Sequence, residues 1–113
     1  MQDFTDVKIE IFTPLEYVLP LRDALANAGA GVIGNYDHCV AAHPIQGYYR
    51  PLAGANPFEG EVGVISEGTE YKVEVNCKRE LVDAALAAIR SVHPYEEPLI
   101  NIIPLANHLF EGK

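Results

Sequence analysis

Two short stretches carry most of the side chains capable of chemistry. Asn35-Tyr36-Asp37-His38-Cys39 sets an imidazole beside a thiol, and His93-Pro94-Tyr95-Glu96-Glu97-Pro98 holds an imidazole, a phenol and two carboxylates between prolines. Imidazole and thiolate suit borderline and soft divalent ions, and carboxylates add harder oxygen donors. His38, Cys39, His93, Glu96 and Glu97 are therefore candidate metal ligands, and Tyr36, His38, Cys39, His93 and Tyr95 candidate ligand-binding residues. A divalent metal ion is the only cofactor that these side chains suggest. Neighbours on a strand face opposite ways, so His38 and Cys39 do not readily share one ion. Cys39 and His43 share a face but stand roughly 13 Å apart, beyond one coordination sphere. A metal at this place needs donors from elsewhere in the fold or from a second subunit. The plainer alternatives are a buried Cys39 that behaves as a small hydrophobe, and a stiff 93–98 connector whose Tyr95 packs at an interface.

Other constellations fail on context. Gly29-Ala30-Gly31-Val32-Ile33-Gly34 spells the G-x-G-x-x-G string of dinucleotide-binding loops. That loop needs a strand before it and a helix after it, so that the pyrophosphate meets a helix N-terminus. The order here is reversed, and Gly29 reads better as a helix C-terminal cap, with Gly31 and Gly34 as turn residues. Ser66 and Ser91 have no base nearby in sequence and no nucleophile elbow. No catalytic residue is assigned.

The elements that must position these residues follow from periodicity. Val7-Lys8-Ile9-Glu10-Ile11 alternates as a half-buried strand, and Thr13-Pro14-Leu15-Glu16 has the form of a capped helix start. The helix runs to Ala28, with Pro20 expected to kink it or delay its regular part. A strand region at about 37–49 is expected to bulge or bend near Ala42–Gly47, and 51–63 reads as a surface loop. Thr69–Asn76 is the clearest strand, with Tyr71, Val73 and Val75 inward. A second helix spans Lys78–Val92 and stops at His93-Pro94, and Leu99–Ile103 supplies the last strand. The order βαββαβ predicts an α+β, ferredoxin-like sandwich, a four-stranded antiparallel sheet with two helices on one face. One domain fills residues 1–113. If the other sheet face is apolar, oligomerisation would cover it.

Sixteen acidic residues against eight basic ones give a net charge of −8. No Lys/Arg cluster is available to neutralise phosphates, which argues against nucleic acid as a partner, and the charge also disfavours anionic membranes. The longest apolar run is too short to span a bilayer, and the first residues lack the form of a signal peptide. With two cysteines only, a reducing cytoplasmic location is expected.

Three segments together, 29–39, Gly54-Ala55-Asn56-Pro57-Phe58-Glu59-Gly60 and 93–98, resemble the PII-like insert domain of YqfO-type members of the NIF-three-like family. The resemblance runs from the first strand to about Leu105. It implies a stand-alone copy of a domain that larger members carry between two halves of a metal-binding domain. His93-Pro94-Tyr95-Glu96 is also similar to the motif of CutA proteins. The CutA and PII resemblance implies a homotrimer with ligands in clefts between subunits, His93, Tyr95, Glu96 and Glu97 being the residues that carry over. Glu97 stands where many CutA sequences have an apolar residue, and no PII-type basic nucleotide loop is recognisable. The leading expectation is a small, non-catalytic ligand-binding or regulatory module, open to a small-molecule, metal or protein partner. The alternatives are a copper- or zinc-binding protein of CutA type and a metal-dependent hydrolase related to NIF-three-like proteins.

Overall fold

The structure is a computed structural model and describes residues 3–110. Four strands, β1 (Asp6–Thr13), β2 (Val40–Tyr49), β3 (Ser66–Lys78) and β4 (Ile100–Pro104), and two helices, α1 (Val18–Asn27) and α2 (Val82–Val92), follow in the order β1-α1-β2-β3-α2-β4. The sheet order is β2-β3-β1-β4 and every pairing is antiparallel. This is the expected ferredoxin-like arrangement.

The inner face of the sheet and the two helices make the core. Val7, Ile9 and Ile11 of β1 meet Val73, Val75 and Cys77 of β3, and Leu21, Leu25, Ala85 and Ile89 close over them. Alternation along β1 is strict, with every second residue buried, because a strand turns successive side chains to opposite faces. Burial raises the Cys77 thiol above its ordinary range, as expected where the thiolate would lose its hydration.

Helix ends follow local chemistry, with two corrections. α2 starts at Val82 and not at Lys78, because Lys78 closes β3 and Arg79–Leu81 form a 3₁₀ turn. Gly29 N–H bonds Ala26 O and Ala30 N–H bonds Leu25 O, the paired closure of a Schellman motif, with Gly29 at φ +92°. At the other end of α1, Thr13 is not a cap. It is fully buried as the last residue of β1, and its hydroxyl donates to Pro14 O. A 3₁₀ turn, Leu15–Tyr17, comes first, and Pro20 lies in the first turn of α1. A missing N–H is harmless there, so the helix start is delayed and the helix is not broken. α2 ends where His93 turns extended (ψ 132°) before Pro94, as pre-proline sterics require.

One further expectation differs from the structure. β2 pairs one-to-one with β3 from Val40↔Val75 to Tyr49↔Ser66, with no bulge. On the outer sheet face β1 and β3 are charged: Lys8 pairs with Glu74, Lys72 with Glu10 at 3.6 Å and Lys78 with Asp6 at 3.2 Å. The Lys8 ammonium holds the Glu74 carboxyl below its usual range. Large exposed apolar side chains lie at Val32, Ile33 and Tyr36 in the 31–39 turn, at Tyr48 on β2, at Leu52 and Ile65 in the β2–β3 connection, and at Ile102 and Ile103 on the edge strand β4, with Ile103 on the face of its partner Lys8.

Candidate functional site

β1 ends opposite Tyr71, so the five β2–β3 pairs from Ile45↔Glu70 to Tyr49↔Ser66 run past it as a two-stranded arm. The segment that follows α2 crosses the foot of this arm. His93 is 9 % exposed and uses both ring nitrogens inside the fold. Nε2 donates to Phe12 O at 2.7 Å, and Nδ1 accepts the Tyr95 N–H at 3.1 Å. One donor and one acceptor specify the neutral ring protonated on Nε2. Burial lowers the His93 pKa from its ordinary 6.5, against the opposing pull of the Phe12 hydrogen bond and the Glu70 charge.

Tyr95 is held in turn. Its backbone is fixed by His93, its ring lies 4.9 Å from the imidazole, and its hydroxyl donates to Glu70 Oε2. Burial first, then the Glu70 hydrogen bond and charge, push the phenol far above its ordinary 10. Glu70 reaches Tyr95 across bare backbone. A Cβ at Gly47 would collide with the Glu70 carboxylate, so a strand glycine here marks a close approach rather than a bulge.

Beside this pair opens a cleft of about 520 Å³ between the arm, the Pro14–Glu16 turn, Glu59-Gly60 and Tyr95. Its lining holds four carboxylates, Glu16, Glu59, Glu67 and Glu70, and three phenols, Tyr49, Tyr71 and Tyr95, with no Lys, Arg or His. Carboxylates and electron-rich ring faces both favour a cation. A second hollow of about 560 Å³, at Phe4 and Lys78–Glu80, is of mixed charge. Its Arg79 lies over the Phe4 ring at 4.3 Å and donates to Phe4 O, so its chemistry is that of a structural tie.

The two sequence stretches do not meet within one chain. Gly31 N–H bonds Asn76 O and Cys39 N–H bonds Gly31 O, whereas His93 is bonded at Phe12, which pairs with Lys72. Asn76 and Lys72 are four residues apart on β3, about 13 Å along the sheet. Tyr36 is 74 % exposed. His38 has φ +56°, with Nδ1 2.9 Å from Asp37 Oδ1 and Nε2 3.8 Å from Asp23 Oδ1. Cys39 is half-buried, its Sγ 3.5 Å from Asp37 O. Glu96 accepts the Asn56 N–H at 2.9 Å, and Glu97 is exposed. Among the described residues no three His, Cys, Asp or Glu side chains are grouped to hold a metal ion. The sequence reading missed Glu70, Gly47 and Tyr49 as site residues. A glycine inside a strand was the available signal.

No protein-family model matches the chain. The GTP cyclohydrolase 1 type 2 homolog of Bacillus subtilis is 40% identical over 98 residues, 87% of this chain and 26% of that protein. The Mycobacterium leprae homolog is 40% identical over 95 residues, 84% and 25% of the two chains. Among solved structures, the Bacillus cereus protein related to NIF3 superposes with a TM-score of 0.80 at 30% identity, over 95% of this chain and 27% of that one. By sequence and by fold, the chain matches one segment of the NIF3-related proteins. It spans about a quarter of the curated relatives' length, so their activity is not carried onto this NIF3-like segment. The divalent cation tolerance protein CutA of Archaeoglobus fulgidus matches at TM-score 0.67 and 22% identity, over 89% and 84% of the two chains. CutA1 of Shewanella sp. SIB1 matches at 0.69 and 17%, over 96% and 92%. At these identities CutA shares the fold with the NIF3-like segment. Among the described residues no helix is long and apolar enough to cross a membrane.

Proposed function

We propose that this chain is a non-catalytic binding module that assembles as a homotrimer and receives a positively charged ligand in the cleft beside Tyr95 and Glu70. The observation that carries the ligand class is the lining itself, four carboxylates and three phenols with no basic side chain. The trimer is supported by the CutA and PII resemblance and by the apolar side chains left exposed on the arm and on β4. Light scattering on a sizing column is expected to give three times the chain mass at micromolar concentration. A strict monomer would overturn the assembly.

Binding is read by calorimetry at low salt, with spermidine as an organic cation and zinc and copper ions as separate titrants. The triple variant Glu16→Gln, Glu59→Gln, Glu67→Gln removes three cleft charges whose carboxylates make no hydrogen bond or ion pair described in the fold. It is expected to weaken cation binding by about tenfold or more, since each charge near the surface contributes on the order of 1 kcal/mol. Unchanged heats in the variant would rule out the cleft as the site.

A metal-ion reading rests on the donors that the 36–39 and 93–97 stretches present near the surface, although they lie apart in one chain. His38, Cys39, Glu96 and Glu97 would then complete a site only between subunits. His93 would contribute only after giving up its two internal hydrogen bonds. Zinc or copper heat that survives the cleft triple variant but is lost in Glu96→Ala, Glu97→Ala is the result expected of that reading.

A further inference from the structure

The connection between β2 and β3, residues 50–65, is built as a strap. Its base is closed by Gly63 N–H to Pro51 O at 2.7 Å. Its tip reaches back over the domain and is held there by two kinds of contact. Asn56 N–H donates to the Glu96 carboxylate at 2.9 Å. The Phe58 ring lies 6.2 Å from both Tyr17, edge-on, and Tyr95. A third tie, Tyr49 O–H to Glu59 O at 2.7 Å, fixes the return limb to the arm. Glu59 and Gly60 of this limb form one wall of the cleft.

These ties are of the kind that opens locally. Phe58 is still 48 % exposed although it is the strap's aromatic anchor. Residues 59–64 are all exposed. A segment with few buried apolar contacts and solvent-reachable hydrogen bonds opens far more cheaply than the sheet that carries it. The geometry points to residues 50–65 as a lid on the acidic cleft, latched by Phe58 and by the Asn56–Glu96 hydrogen bond. Closed, it places Glu59-Gly60 against the cleft and occupies the Tyr49 hydroxyl. Open, it frees that hydroxyl and uncovers the Tyr95 ring. The lid deepens the binding reading, since the cleft it covers is the one assigned to the ligand, but its test needs no ligand.

The full chain is treated with tetranitromethane, and the nitration rate of each tyrosine is read by peptide mass analysis. Hydrogen exchange of the same peptides follows in parallel. In the wild type, Tyr36 and Tyr48 are expected to react fast and Tyr49 and Tyr95 slowly. The hydrogen bond described for the Glu96 carboxylate is the one from Asn56 N–H, so an effect of Glu96→Ala on Tyr49 is expected to pass through the strap. The variant is expected to raise the Tyr49 rate and the exchange of 52–63 by about tenfold, the equivalent of losing one hydrogen bond to a charged group. Tyr36 and the exchange of β1 and α2 stay unchanged. Phe58→Ala is expected to do the same through the other latch. Wild-type Tyr49 and Tyr95 reacting as fast as Tyr36 would overturn the lid. So would a faster-exchanging strap in either variant with Tyr49 still slow, because the strap would then move without opening the cleft. Absence of spermidine or metal binding, with these rates as expected, would remove the ligand assignment and leave the lid standing.

Discussion

Replacing His93 with alanine is expected to lower folding stability by about 2–4 kcal/mol, read as a shift in the urea midpoint at pH 7.5. The ring is nearly sealed from solvent, so its removal leaves a void and orphans two backbone groups, the Phe12 carbonyl and the Tyr95 N–H. Each orphan costs about 1–3 kcal/mol, and water entering the void recovers part of the sum. Tyr95 then loses the bond that orients it, so the Glu70 contact weakens as well. An unchanged midpoint would show that His93 does not tie the end of α2 to β1.

The same variant carries a pH signature. Folding lowers the pKa of His93, so between the folded value and the ordinary 6.5 the unfolded chain binds more protons than the folded one. Stability from this group is therefore full above pH 6.5 and declines as pH falls through the unfolded value toward the folded one. Wild-type protein should lose stability from pH 7.5 to 5.5 more steeply than the alanine variant. Identical slopes would remove the buried neutral ring as the cause.

Gly31→Val is the second large effect, expected to cost about 2–4 kcal/mol in thermal or urea unfolding. Gly31 sits at φ +76°, and a Cβ there would stand 3.1 and 3.2 Å from the Cys39 carbonyl oxygen and amide nitrogen and 3.2 Å from Val75 Cγ2. Backbone strain and backbone collision combine, and neither neighbour is the flexible end of a long side chain. Gly31 also relays hydrogen bonds from Cys39 to Asn76, so its displacement would loosen the whole 31–39 turn. Faster alkylation of Cys39 should accompany the loss of stability. Gly68→Ala is the control: nothing lies within 4 Å of an added Cβ and its φ is ordinary, so a change within about 0.5 kcal/mol is expected. Equal costs at the two positions would refute the close approach at Gly31.

How much of this was legible in the chain depends on the range over which each feature acts. The βαββαβ order, the Gly29 cap and the stop at His93-Pro94 all follow from residues within a turn or two of one another. Local sterics and periodicity decide such features. The Thr13 cap failed for a related reason: Thr13 had the right neighbours for a helix start, but pairing with Tyr71 drew it into β1. The charged outer face was latent in the alternation of Lys8 and Glu10 with Lys72 and Glu74. It became visible only when antiparallel register set Lys8 beside Glu74 as a diagonal neighbour.

The candidate residues divide along the same line. Sequence alone marked 36–39 and 93–97 as the chemically loaded stretches, because residue type and density are local properties. It could not say that His93 spends both nitrogens on the fold, since one partner is Phe12, 81 positions away. Nor could it place Glu70 under the Tyr95 hydroxyl or Phe58 between Tyr17 and Tyr95, because those meetings depend on how far the arm extends past β1 and where its loop returns. Composition determined an acidic chain, and periodicity its ferredoxin-like order of elements. Only the tertiary structure decided where the acids converge, because convergence belongs to strand register and loop return, which no short window of residues encodes.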